Sequence, residues 1–383
     1  MKPADRVERV PPSGIRKFFE LAEEMDDIIS LGVGEPDFAA PWAAREAAIA
    51  SLEQGKTSYT ANRGKRELRD LIAADVDRRY DLDYDADEEI LVTAGASEGI
   101  DLAFRALVDP GDTVAVAQPS YVSYVPGVTF AHGEVLDVPT RREDEFKLTR
   151  DVLEASGAQA ADVLVMCYPN NPTGDGYPRA DLVAYAQQCR GADTALVVDE
   201  AFLDFTDRRT LAGEAGVIVA RSLTKIFGLP GLRTGLAVAT GGLRDRLEAA
   251  RPVWGLSTPA ADVGAYCLRR TKFVAETRDR VRRERRRMVD RLDAAYEVYP
   301  SEAPFLLLGV HDRPVEAVID DAAILRAGRV LRAHRLADSG REWQAVLPDD
   351  AYAVTPHGDA LVVKVGEYGD MSFCPECGTD LSG

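Results

Sequence analysis

At the centre of the chain is the segment Arg221-Ser-Leu-Thr-Lys225-Ile-Phe-Gly-Leu-Pro-Gly-Leu-Arg233-Thr-Gly235, which directly follows the apolar run Gly216-Val-Ile-Val-Ala220. Only 8 of the 46 basic residues are lysines, and Lys225 is one of them. An arginine cannot take its place chemically, because a guanidinium stays protonated, whereas a desolvated lysine amine can lose its proton and attack a carbonyl. The Ser222 hydroxyl and the Arg233 guanidinium, in the same segment, can both bind one dianion beside that amine. Pyridoxal phosphate (PLP) carries both an aldehyde and a dianion, so it fits this set of residues.

The spacing of this segment also carries a resemblance. Ser-x-x-Lys followed by Gly-x-Arg-x-Gly resembles the Schiff-base segment of fold-type I PLP enzymes, the aspartate aminotransferase superfamily. The resemblance implies that Lys225 joins covalently to the cofactor aldehyde, and that Ser222 and Arg233 bind its phosphate. On this segment alone, a surface lysine on a glycine-rich loop is the alternative interpretation, so the motifs upstream are needed to choose.

Composition limits the classes of protein to consider. The chain has 383 residues, of which 46% are hydrophobic, and this favours a globular protein of two domains. No apolar run approaches the roughly 18 residues of a membrane span, and no charged and apolar leader opens the chain, so we expect a cytoplasmic protein. The net charge of −18 is spread over the whole length, which disfavours nucleic-acid and anionic-membrane partners and suggests a salt-adapted host.

Hydrophobic periodicity predicts an α/β fold. Seven apolar runs, near residues 91, 114, 135, 164, 196, 218 and 236, alternate with helical stretches. This alternation is typical of a mostly parallel seven-stranded sheet covered on both faces. The same pattern, with one long helix over residues 261–298, predicts four segments. These are an N-terminal arm with part of the small domain (1–35), a large PLP-binding domain (36–255), a small α/β domain (256–345) and a C-terminal appendix (346–383).

A candidate phosphate site follows the first of these strands. Ile90-Leu-Val-Thr is followed by the small residues Gly95, Ala96 and Ser97 and then by a helical pattern. Free backbone amides and the positive end of a helix dipole both favour an anion at such a turn. The alternative is a Ser N-cap without a ligand.

Three residues at other strand ends suit the ring of the same cofactor. In the superfamily, an aromatic residue at the position of Tyr121 stacks on the pyridine ring, and the second asparagine of the Asn-Asn-Pro-Thr-Gly motif, here Asn171, donates to the ring oxygen. Asp199 ends the run Ala195-Leu-Val-Val, where a buried carboxylate is costly unless it meets a cation, such as a protonated pyridine nitrogen. The resemblance therefore implies that Lys225, Asp199 and Tyr121 are the catalytic residues. Tyr124, close by, is interpreted as packing.

Two further residues come from the resemblance. A tyrosine at the position of Tyr59 crosses a dimer interface to the neighbour's cofactor phosphate, which implies a homodimer. A backbone amide near Gly34 faces the substrate carboxylate. An ordinary packing tyrosine and an ordinary Gly-Pro turn are the alternatives at these two positions.

The resemblance covers about residues 15 to 310, but its two halves point to different members. Up to about residue 174 the chain resembles an aspartate-type aminotransferase. Beyond it, the segments around Phe202, Lys225 and Trp254 resemble threonine-phosphate decarboxylase, an enzyme of cobalamin side-chain synthesis, and histidinol-phosphate aminotransferase. Most aminotransferases carry at Phe202 a tyrosine that reaches the cofactor ring oxygen.

The implied function is a PLP-dependent amino-acid aminotransferase that acts on an amino acid and a 2-oxo acid. The alternatives are decarboxylation of L-threonine O-3-phosphate, a histidinol-phosphate-type transamination, and a non-enzymatic regulator or adaptor that keeps the fold.

The end of the chain departs from the superfamily pattern. Members usually carry a late arginine that grips the substrate α-carboxylate, but the last arginine here is Arg341, and no residue can be assigned that role. Cys374-Pro-Glu-Cys377 matches one half of a zinc ribbon, whereas structural zinc needs four ligands. Zinc at Cys374 and Cys377 and an empty thiol turn both stay open. The other three cysteines are expected to be reduced core residues.

Overall fold

The structure is a computed structural model that describes residues 3–10, 40–294 and 296–309, together with five strands between residues 322 and 365. The described residues fall into two compact units. The first unit comprises residues 3–10, 40–171 and 175–277, and the second comprises 172–174 and the described part of the chain from residue 278 onward.

Helices and strands alternate through most of the first unit. In chain order they are α1 Asp5–Arg9, α2 Trp42–Glu53, α3 Arg66–Tyr80, β1 Ile90–Thr93, α4 Ala96–Leu107, β2 Thr113–Gln118, α5 Tyr124–Phe130, β3 Glu134–Pro139, α6 Arg150–Ser156, β4 Val163–Cys167, α7 Arg179–Gly191, β5 Ala195–Asp199, β6 Val217–Ser222, β7 Gly235–Val238, α8 Gly242–Ala250 and α9 Thr258–Leu268. The helix α10, Thr271–Leu292, begins in this unit and continues into the second.

The seven strands form one sheet in the order β1-β7-β6-β5-β4-β2-β3. This confirms the predicted α/β fold, because each predicted apolar run is a strand of this sheet. β7 is antiparallel to both of its neighbours, whereas the other adjacent pairs are parallel. Gly235, the first residue of β7, therefore pairs with Ser222 and Thr93, the last residues of β6 and β1. The segment before β7 thus reaches the sheet edge at which the parallel strands end.

The central strands are buried along their whole length, as expected where helices cover both faces of a sheet. The helix α4 turns Ile100, Ala103 and Phe104 inward from its apolar face. It approaches the sheet closely at Gly99, where a Cβ atom would lie 3.1 Å from the Cβ of Ala220. This close approach fixes the first turn of α4 against the ends of β6 and β7.

The long helix predicted for residues 261–298 is wrong, because two helices, α9 and α10, occupy most of that range. The amides of Arg269 and Arg270 bond to carbonyls three residues back and end α9. Neither glycine nor proline marks the break, so the sequence pattern gave no signal for it. On α10 Met288 and Leu292 are buried.

The described strands of the second unit pair antiparallel. β8 Glu297–Val298, β9 Phe305–Gly309, β13 Ala351–His357 and β14 Ala360–Val365 form one sheet in the order β13-β14-β9-β8, and β10 Ala322–Ala327, β11 Val330–Arg335 and β12 Arg341–Val346 form another in sequence order. In the part of the chain that the structure describes, no helix is long and apolar enough to cross a membrane. The predicted domain limits and the predicted location stay predictions.

Candidate active site

Lys225 lies just beyond the carboxyl end of β6. It opens the short 3-10 turn Lys225–Phe227, which ends at Gly228 in the left-handed conformation (φ 65°). The Nζ atom lies 3.8 Å from the centroid of the Phe202 ring. Desolvation lowers the pKa of the Lys225 amine, and the nearby carboxylate of Asp199 and thiol of Cys167 partly oppose this shift. The site therefore favours an unprotonated, nucleophilic amine more than water does.

Asp199 is the last residue of β5 and is only 5% exposed. Its Oδ1 atom accepts a hydrogen bond from the Ala201 amide at 2.9 Å, and its Oδ2 atom accepts one from the Tyr124 hydroxyl at 2.9 Å. Burial raises the pKa of the Asp199 carboxyl, while Lys225 and the two hydrogen bonds lower it. The structure thus places a buried carboxylate beside the lysine, in a position that suits a cationic partner.

The interpretation of Tyr124 as packing was incomplete. The side chain is buried, at 1% exposure, but its hydroxyl also donates to Asp199. Its ring meets the half-buried Tyr121 edge to face, with the centroids 5.6 Å apart and the planes at 81°. Sequence reasoning missed this role because Tyr124 and Asp199 are 75 residues apart and no local pattern links them.

The asparagine turn after β4 lies beside the same carboxylate. Cys167 ends β4 and pairs in register with Asp199. The thiol of Cys167 donates to the Pro169 carbonyl at 3.1 Å, two residues before the half-buried Asn171, which is predicted to meet the cofactor ring oxygen. The neighbouring Asn170 donates to the Pro119 carbonyl at 3.2 Å, which ties this turn to the segment that carries Tyr121.

The first turn of α4 forms a cradle for an anion. The helix begins at Ala96 without a side-chain cap, after Gly95 in a left-handed conformation (φ 84°). The Arg233 guanidinium lies over this turn, with Nη2 3.3 Å from the Ala94 carbonyl oxygen. A Cβ atom on Gly95 would lie 2.8 Å from that Nη2, so a side chain would fill the cradle. Uncapped amides, a guanidinium and the Ser222 hydroxyl at the paired strand end form a donor set that fits a phosphate ester.

The position of Arg233 depends on the direction of β7. Arg233 precedes β7 and does not follow a strand, and it reaches the cradle because β7 runs antiparallel. Its own backbone is left-handed (φ 54°). Of the other predicted phosphate ligands, Ala96 is buried and Ser97 is exposed at the second position of α4.

Other predicted site residues are not brought together with this group. Tyr59 is 79% exposed and stacks on Trp254 at 4.5 Å between ring centroids. In the described part of this single chain it makes no hydrogen bond to the Lys225 site. Gly34, Cys374 and Cys377 lie outside the described residues. Among those that are described, no group of three or more His, Cys, Asp or Glu side chains is arranged to hold a metal ion.

Comparison with known proteins shows the family of the chain. The family model "Aminotransferase class I and II" matches residues 26–360. The putative aminotransferase YugH of Bacillus subtilis is 41% identical over 251 residues, which are 64% of this chain and 65% of that protein. The aspartate/prephenate aminotransferase of Thermus thermophilus is 31% identical over 92% of each chain. A solved double mutant of the Thermus thermophilus aspartate aminotransferase superposes with a TM-score of 0.76, at 27% identity over 96% of each chain.

Proposed function

Because the chain belongs to the class I and II aminotransferase family, we propose that it is a PLP-dependent enzyme that transfers an amino group from an amino acid to a 2-oxo acid. One observation carries the proposal. A desolvated lysine amine, a buried carboxylate and an anion cradle lie at the same edge of one sheet, and PLP has a matching aldehyde, pyridine nitrogen and phosphate.

The residues divide into groups by what they hold. The phosphate is held by the first-turn amides of α4, by Ser222 and by Arg233. The ring is held by Tyr121 on one face, by Asn171 at its oxygen and by Asp199 at its nitrogen. When bound, PLP supplies an electron-withdrawing ring that stabilises negative charge at the substrate α-carbon.

Lys225 is the base in this proposal. Its pKa is lowered by desolvation, so its amine is better prepared to accept the proton of the substrate α-carbon at neutral pH than an exposed lysine is. Burial raises the pKa of the Asp199 carboxyl, and the Tyr124 and Ala201 donors oppose this shift and favour the ionised form, which would hold a proton on the ring nitrogen. Phe202 has no hydroxyl, so Asn171 is the side chain that is left to donate to the ring oxygen.

The partners follow from the same proposal. The substrates are an amino acid and a 2-oxo acid, and the protein works as a homodimer in which the exposed Tyr59 reaches the cofactor phosphate of the neighbouring subunit. The relatives quoted above are named as aminotransferases, which supports transamination over decarboxylation. The first of them is matched over only about two thirds of its length, so the substrate is proposed by class alone. Zinc at Cys374 and Cys377 stays a prediction that metal analysis of the full chain tests.

Two assays on the purified chain with added PLP separate the reactions. Single amino acids, among them aspartate, tyrosine and O-phosphothreonine, are supplied with and without 2-oxoglutarate. We expect amino-group transfer to appear only when the 2-oxo acid is present, without release of carbon dioxide. Release of carbon dioxide from O-phosphothreonine in the absence of any 2-oxo acid would show that the enzyme is a decarboxylase and would contradict the proposed transamination.

A further inference from the structure

Trp254 has a backbone conformation that bulky residues rarely adopt. Its φ is 56°, in the left-handed region, where a Cβ atom crowds the following carbonyl oxygen. The side chain is 53% exposed, so burial in the core does not offset this strain. Strained residues that the surrounding structure holds in place cluster at functional sites, and the contacts of Trp254 point to one.

The ring of Trp254 stacks on the ring of Tyr59. Their centroids are 4.5 Å apart and their planes meet at 22°. Tyr59 itself is 79% exposed, and an exposed tyrosine without such a neighbour samples several side-chain rotamers. The stack therefore limits the Tyr59 ring to one direction, and with it the hydroxyl at the end of the ring.

Hydrogen bonds hold the segments that carry the two rings side by side. The backbone amide of Trp254 donates to Asn62 Oδ1 at 3.1 Å. Two threonine hydroxyls donate to backbone carbonyls of the opposite segment, Thr60 to Leu256 at 2.9 Å and Thr258 to Ser58 at 2.8 Å. Because these bonds fix the backbone on both sides of the stack, the position of the Trp254 ring sets the position of the Tyr59 ring.

We propose that Trp254 is a positioning residue for Tyr59: its ring holds the Tyr59 hydroxyl in the direction in which that hydroxyl meets the cofactor phosphate of the neighbouring subunit. The inference rests on the proposed function, in which Tyr59 has that role. A side chain that is ordered before binding loses little rotamer freedom on binding, so the stack raises the affinity for the phosphate. The strained backbone at Trp254 persists because it places the ring against Tyr59.

The test compares the dissociation constants of PLP and pyridoxal, measured by titration of the full chain. Pyridoxal has the ring and the aldehyde of PLP but no phosphate. Trp254→Gly removes the ring and suits the left-handed backbone. We expect it to bind PLP about fivefold more weakly than the wild type, the cost of ordering one side chain on binding, and to bind pyridoxal within about twofold of the wild type.

Two further variants serve as controls. Trp254→Phe keeps a ring that can stack on Tyr59, and its affinity for PLP should stay within about twofold of the wild type. Asp81→Gly is the matched backbone control, because Asp81 is also exposed and left-handed (φ 57°), at the end of α3. Its affinities for PLP and pyridoxal should both stay within about twofold of the wild type.

A double-mutant cycle shows whether the ring acts through Tyr59. Tyr59→Phe removes the hydroxyl and should weaken PLP binding about tenfold, since a donor to the phosphate is lost. In the Tyr59→Phe background, Trp254→Gly should change the dissociation constant of PLP by less than about twofold, because the group that the ring positions is gone. An equal loss in both backgrounds would overturn the proposal, and so would an equal weakening of PLP and pyridoxal binding.

Sedimentation of each variant at one protein concentration separates positioning from loss of the dimer. We expect Trp254→Gly to stay a dimer. A monomeric Trp254→Gly would show that the ring supports the subunit interface and not the direction of Tyr59, and would overturn the proposal. If Trp254→Gly does not fold, Trp254→Leu, which also lacks an aromatic ring, is taken through the same measurements with the same criteria.

The failure of this inference differs from the failure of the proposed function. If the wild type binds no PLP, or if Tyr59→Phe binds PLP as tightly as the wild type, the proposed function is wrong in its cofactor or in the role of Tyr59, and the inference falls with it. If Tyr59→Phe loses affinity and Trp254→Gly matches Asp81→Gly, only the role of Trp254 is wrong.

Discussion

Replacing Gly235 with alanine should weaken both the fold and the cofactor cradle. The new Cβ atom would lie 2.5 Å from the Arg221 carbonyl oxygen and 2.5 Å from the carbonyl carbon of Gly95. Both obstacles are backbone atoms, which cannot rotate out of the way as a side chain can. Overpacking of this kind usually costs about 1–3 kcal/mol, and the rigid obstacles put our expectation at about 2–3 kcal/mol of unfolding free energy. Any shift of Gly95 also moves the amides of the cradle, so PLP affinity should fall about tenfold.

Urea unfolding and PLP titration of the same variants measure the two effects. Gly231→Ala is the matched control, since a Cβ atom there meets no atom within 4 Å, and its unfolding free energy should stay within about 0.5 kcal/mol of the wild type. The close approach of β7 to Gly95 would be refuted if Gly235→Ala and Gly231→Ala unfolded at the same urea concentration and bound PLP equally well.

Three other changes test separate parts of the account. Arg233→Met should weaken PLP binding about tenfold or more in a titration, because a charge-assisted donor to the phosphate is lost, and an unchanged affinity would remove Arg233 from the site. Desolvation lowers the pKa of Lys225, so the rate of PLP uptake by the cofactor-free protein should rise with pH and level off below the ordinary lysine value of 10.5. If the midpoint of the curve of rate against pH lies at or above 10.5, the pKa of Lys225 is not lowered. Arg221→Met should cost about 3–5 kcal/mol in urea unfolding, because it leaves the buried Glu200, 4.0 Å from the guanidinium, without its cation, and leaves Asp204 with Arg79. A loss below about 1 kcal/mol would show that this buried ion cluster contributes little.

Much of the sheet could be predicted from the sequence, for a physical reason. A buried parallel strand needs apolar side chains on both faces, so its residues form a continuous apolar run such as Val163–Cys167. Asp199 at the end of β5 and Asn171 after β4 lie where ligands bind in parallel sheets, while the role of Asn171 at the cofactor comes from the family resemblance. The direction of β7 could not be predicted. The run Gly235–Val238 has the same apolar character in either direction. Whether the strand is parallel or antiparallel is known only from its pairing with β1 and β6.

The rest of the site depends on long-range contacts that leave no local pattern. The bond from Tyr124 to Asp199 joins residues 75 positions apart, and the sequence around Tyr124 fits simple packing equally well. Arg221 gave a similar difficulty. It lies next to Ser222 in the central segment but points into a buried cluster with Asp204 and Glu200. The burial of a charged residue in an apolar strand can be explained only when its ion-pair partners are known.

The central claim is that Lys225 carries the cofactor, and one measurement tests it directly. The purified full chain is incubated with PLP, reduced with borohydride and digested, and the peptides are mapped by mass spectrometry, with Lys225→Ala treated in parallel. We predict a pyridoxyl group on Lys225 in the wild type and no label at a defined site in Lys225→Ala. A label on another of the eight lysines, or equal labelling of both proteins, would contradict the account.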